Sequence, residues 1–132
     1  MNYLLDTHTL IWFLEDNTQL SAKALKTIRN IDNSILFSQI SLFEIAIKQK
    51  IGKLPFFDAT IIDIYKQSIE ENLTFCPIQN THLQAYQSVS LYPEHRDPFD
   101  RLLIATALDE KLSIITVDKN FDLYADIIEI MW

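Results

Sequence analysis

Five short apolar runs, rich in β-branched and aromatic residues, recur along the chain with helical patterns between them. The runs fall at residues 2–5, 35–38, 73–77, 113–116 and 127–130 and read as strands. Helical spacing is read over residues 7–15, 21–30, 41–50, 59–72, 81–91 and 98–111. Ser21 suits the N-cap of the second helix, and Gly52 is a C-terminal stop for the third. Strands separated by helices predict a parallel β-sheet with helices on both faces, an α/β/α sandwich. The 132 residues make one domain, 1–132. The stretch 98–111 is apolar almost all round (Phe99, Leu102, Leu103, Ile104, Ala105, Ala107, Leu108), as expected of a helix buried on the sheet.

Small-residue and thiol chemistry is nearly absent. A single glycine, Gly52, excludes the dinucleotide fingerprint, the phosphate-binding P-loop and the nucleophile elbow, each of which needs at least two. A single cysteine, Cys76, excludes an intrachain disulfide and a multi-cysteine zinc site, and it reads as a small core residue. The opening Met1-Asn2-Tyr3-Leu4-Leu5-Asp6 meets an acid at once, unlike a signal peptide, and no apolar run approaches the roughly 20 residues of a membrane span. The expectation is a cytoplasmic protein without a membrane partner. A net charge of −7 argues against wholesale binding of nucleic acid but leaves room for a local basic rim.

Four acids stand where such sheets bind ligands. Asp6 and Asp118 follow predicted strands, and ligands of open parallel sheets bind outside the carboxyl ends of strands. Glu44 and Asp100 fall in first turns of predicted helices, and apolar neighbours put all four acids at the core edge. Carboxylates there need a positive partner, and no matching set of basic residues adjoins them, so a metal cation answers the need. Each also has a plain structural role. Ser41-x-x-Glu44 has the form of a capping box, Asp97-Pro98-x-Asp100 that of a capped helix start, and Asp6 and Asp118 suit a cap and a turn. Spacing alone leaves the two readings balanced.

Leu4-Leu5-Asp6-Thr7-His8, the run from Ser41 to Lys48, the run from His95 to Ala105 and Thr116-Val117-Asp118 resemble the PIN-domain ribonucleases, in particular VapC-type toxins of type II toxin–antitoxin systems. The likeness runs over nearly the whole chain, and Thr106 departs from it where glutamine is expected. It implies an endoribonuclease dependent on Mg²⁺ or Mn²⁺, with Asp6, Glu44, Asp100 and Asp118 as catalytic and metal-binding acids. It also implies RNA as substrate, a cognate antitoxin as partner and a homodimer. Oxygen ligands suit these hard cations, which polarise a phosphoryl oxygen and activate water. Thr116 shares a face with Asp118 and reads as a phosphate or metal-site hydroxyl. Lys48, Arg96 and Arg101 lie near the acids and are candidates to hold RNA phosphates, with ordinary ion pairing as the alternative. His8 reads as a residue of a capped helix start, His82 as first-turn surface, and His95 as shaping the loop before Asp97. Trp12, Phe13, Phe43 and Tyr65 read as core, while Phe56, Phe57 and the helix over 59–72 supply an apolar surface for a second copy. Two other functions compete: a housekeeping PIN nuclease for RNA processing, and a catalytically silent PIN-like interaction module.

Overall fold

The first strand, β1 (Asn2–Leu5), sits at the centre of a five-stranded sheet with the order β3-β2-β1-β4-β5. The computed structural model describes residues 1–132. The other strands are β2 (Ser34–Ser38), β3 (Thr74–Cys76), β4 (Ser113–Ile115) and β5 (Ile130–Met131), and every pairing is parallel. Six α-helices join them: α1 (Thr7–Leu14), α2 (Ala22–Arg29), α3 (Gln39–Lys50), α4 (Ile61–Glu70), α5 (Asn80–Tyr86) and α6 (Pro98–Glu110). A 3₁₀ helix, Lys119–Tyr124, lies between β4 and β5.

Strand alternation divides the core in two. Tyr3 and Leu5 join one apolar cluster with residues of α1, α2 and α4, whereas Leu4 joins another with α6 residues and Phe121, Tyr124 and Ile128. The chain winds outward from β1 through β2 to β3, then returns to place β4 on the other side of β1. That reversal falls between β1 and β4, and the carboxyl ends of parallel strands at such a switch are the expected place for a ligand. Leu5 is in register with Ile115, so Asp6 and Thr116 emerge side by side.

Most expected elements are present, with informative differences. Helix α3 begins two residues earlier than read, because β2 ends at Ser38 and that residue itself caps the helix by accepting from the Ile40 amide at 2.9 Å. The Ser41–Glu44 capping box is therefore not formed. Helix α5 stops at Tyr86, well short of residue 91. The last strand starts at Ile130 rather than 127. Ile128 packs into the core, its amide bonded to the Tyr124 carbonyl, so the preceding residues follow the 3₁₀ helix. Gly52 takes φ +77° just beyond α3, a left-handed conformation that glycine adopts without strain.

Candidate active site

Each of the two strand-end acids is tied down locally. Asp6 Oδ1 accepts from the Thr9 amide at 2.8 Å, capping α1, while Oδ2 accepts from the Thr116 hydroxyl. Thr116 Oγ1 in turn accepts from the Asp118 amide at 3.0 Å, and Asp118 Oδ1 caps the 3₁₀ helix through Asn120 at 2.9 Å. One threonine hydroxyl thus couples the ends of β1 and β4. Asp6 is only 6% exposed, and burial raises its pKa despite the hydrogen bonds from Thr116 and Thr9.

The two helix acids face each other across the α3–α6 seam. Glu44 Oε1 accepts from Thr7 Oγ1 at 2.7 Å, and Thr7 also lies 3.0 Å from Ser41 Oγ. Because Thr7 follows Asp6 directly, this bond links α3 to the end of β1. Lys48 Nζ sits 3.0 Å from the other Glu44 oxygen. Asp100 Oδ2 lies 3.0 Å from His95 Nε2. Its pKa is pushed up to about 7, first by burial and then by repulsion from Asp97 and Glu44, against the lowering effect of His95. Asp97 takes the capping role instead, accepting from the Phe99 amide at 2.8 Å with Pro98 at the first helical position.

The four acids lie on one connected path: the Asp118 backbone amide to Asp6 through Thr116, Asp6 to Glu44 through its chain neighbour Thr7, and Glu44 to Asp100 by charge repulsion. No three of them bring oxygens within 4.8 Å of one another; the trio that does is His82, Asp109 and Glu110. Mg²⁺ and Mn²⁺ keep several waters and take only one or two carboxylates directly, so such a set does not need three oxygens in one tight cluster. The donor set fits as well. It is all oxygen, it is partly buried, and its close cationic or histidine partners are Lys48 and His95, with His8 acting on Asp6 through space.

The basic residues divide. Lys48 is at the site and half-buried, held by Glu44. Arg96 is exposed, its Nε donating to Pro93 O at 3.3 Å. Arg101, expected at the RNA backbone, is instead 9% exposed and turned inward, donating to the Tyr86 hydroxyl and to the His95 carbonyl, both at 3.0 Å. Its donors brace the loop before α6. His82, read as surface, is fully buried, and Phe43, read as core, is 56% exposed against Phe99. Sequence spacing also missed Thr7 and Tyr124. Thr7 adjoins Asp6 and was open to suspicion, whereas nothing local marks Tyr124.

Comparison with known proteins bears on family and fold. The PIN domain family model matches residues 3–127, and the chain belongs to that family. PIN domains are generally nucleases and generally use a divalent metal. A search among curated proteins gave no match. Among solved structures the chain is similar to VapBC2 from Rickettsia felis bound to a DNA fragment from its promoter. The TM-score there is 0.71 at 17% identity, covering 100% of this chain and 99% of that one. FitAcB from Neisseria gonorrhoeae gives 0.65 at 15% identity, covering 98% and 96%. VapBC-1 from nontypeable Haemophilus influenzae gives 0.64 at 15%, covering 99% and 97%. At such identities the likeness is one of fold.

Proposed function

We propose that this chain is an endoribonuclease dependent on Mg²⁺ or Mn²⁺ and the toxin of a toxin–antitoxin pair. The observation that carries the reading is the connected set Asp6, Glu44, Asp100 and Asp118 around the carboxyl ends of β1 and β4, with more negative charge than Lys48 and His95 balance. Asp6, Asp100 and Asp118 would hold the cation, with Glu44 beside them. When bound, a hard divalent ion supplies polarisation of the phosphodiester and a more acidic water. The protein's own residues do the remaining work. Thr116 and Thr7 fix Asp6 and Glu44, so the carboxylates meet the ion without reorganising. Lys48, at the rim, offers its ammonium to an RNA phosphate, and exposed Arg96 extends that reach.

The toxin assignment is supported by the neighbours in VapBC complexes, whose partner chain is an antitoxin. A protein partner with a cationic side chain would suit the same acids. A second copy of the chain has its own support. On α4, Ile62, Tyr65 and Ile69 form an exposed apolar stripe at helical spacing, and Phe56 nearby is 94% exposed. A dimeric mass by light scattering at tens of micromolar is expected, with Ile62→Lys shifting it to monomer. A wild-type monomer at that concentration removes the dimer.

The test of activity is incubation of purified protein with RNA in Mn²⁺ or in EDTA. Cleavage in Mn²⁺ alone, abolished by Asp6→Asn, is expected, as is growth arrest when the gene is induced without its partner. An intact RNA in Mn²⁺ would overturn the reading.

A further inference from the structure

His95 lies in the loop before α6, is buried, and has both ring nitrogens engaged. Nε2 meets Asp100 Oδ2 at 3.0 Å, and Nδ1 meets the Tyr124 hydroxyl at 2.8 Å. Tyr124 belongs to the 3₁₀ helix that Asp118 caps. A single imidazole therefore joins the segment carrying Asp100 to the segment carrying Asp118. The ring is fixed further by tilted packing on Phe121 and an edge-to-face contact with Tyr124. Its backbone is pinned as well: the His95 amide donates to Tyr92 O at 3.1 Å, and Arg101 Nη2 donates to the His95 carbonyl.

We propose that His95 is a positioning residue that aims the Asp100 carboxylate for the divalent cation and, through Tyr124, holds Asp100 and Asp118 in register. The inference rests on the metal-site reading above. Hydrogen-bond polarity gives the device a direction. An ionised Asp100 carboxylate can only accept, and in the neutral ring this leaves Nδ1 to accept from the Tyr124 hydroxyl. Nε2 then carries hydrogen and donates to Asp100. Hydrogen-bond partners of metal ligands set ligand orientation, and their loss commonly weakens metal binding by about 10–100-fold.

That direction makes two amide substitutions separable. In His95→Gln the side-chain amide reaches the Nε2 position and keeps a donor for Asp100. In His95→Asn it reaches only the Nδ1 position, keeps Tyr124 and drops Asp100. The experiment is calorimetric titration of the purified protein with Mn²⁺ at fixed pH, with melting temperature in EDTA measured beside it. Expected is a loss of about 10–100-fold in Mn²⁺ affinity for His95→Asn and largely retained affinity for His95→Gln. Tyr124→Phe, which keeps the ring in the core, should lose affinity several-fold. Asn and Gln variants that bind Mn²⁺ equally would overturn the proposal, whether both match wild type or both fall in step with melting temperature. Absence of Mn²⁺ binding by wild type would sink this inference together with the metal site, whereas wild-type binding left intact by His95→Asn would sink this inference alone.

Discussion

Helix α6 carries acidic residues at both ends, and the two ends handle the charge differently. At its C-terminal end Asp109 and Glu110 approach His82, with Glu110 Oε1 2.9 Å from Nε2. Their ligand atoms lie closer together than any three from the N-terminal site. Yet the Gln79 amide points at His82 Nδ1 at 3.2 Å, so the ring proton is on Nε2 and already directed at Glu110. Both carboxylates there are also a third or more exposed and keep their water. At the other end Asp100 is largely buried, repelled by Asp97 and Glu44, and linked through Glu44 and Thr7 to buried Asp6. Closeness of ligand atoms does not by itself make a metal site. On the proposed reading the cation goes instead to charge left uncompensated at the sheet's topological switch.

The comparison breaks most visibly in catalysis. Asp100→Asn should lower RNA cleavage in Mn²⁺ by orders of magnitude, since several kcal/mol of transition-state stabilisation depends on the cation being held. Glu110→Gln should leave cleavage near wild type. Equal losses in a labelled-RNA assay would erase the distinction between the two ends.

Stability without metal sharpens it. Asp100 binds its proton more tightly in the folded state than in the unfolded chain, where the value is near 3.8. Stability in EDTA is therefore highest at low pH with respect to this group and falls as pH rises from about 4 to about 7. Above that window the charged carboxylate costs on the order of 4 kcal/mol. Asp100→Asn should flatten this part of the profile and melt higher than wild type at pH 8 in EDTA. Chemical denaturation across that range measures it, and a variant less stable at pH 8 would make Asp100 a structural acid.

A smaller effect separates neighbours at the same helix start. Asp97→Ala removes a cap and should cost about 0.5–2 kcal/mol, with cleavage by the surviving fold largely kept. A loss of cleavage as severe as that of Asp100→Asn would mean that the site includes Asp97.

The sequence was readable where chemistry is local. Asp6 and Asp118 follow β-branched or apolar runs, and Asp97-Pro98 announces a helix start, so strand ends and caps came from adjacent residues. The partners of these acids were not readable in the same way. Thr7 reaches Glu44 across 37 positions and Thr116 reaches Asp6 across 110, distances closed only by the sheet order. The capping box misled because β2 passes into α3 without a loop, moving the cap to Ser38. His82 looked like a polar surface residue because its partner, Glu110, is 28 positions away. Arg101 looked like a phosphate ligand because spacing near acids cannot tell an outward guanidinium from one buried under Tyr86.

The most direct test of the central claim is the melting temperature with and without Mn²⁺ for wild type, Asp6→Asn, Asp100→Asn and Glu110→Gln. Binding to the folded state at 100 times Kd adds about 2.7 kcal/mol, a rise of several degrees for a domain this size. The account predicts that rise in wild type and Glu110→Gln and its loss in Asp6→Asn and Asp100→Asn. A rise that survives in both aspartate variants, or that vanishes in Glu110→Gln, would contradict it.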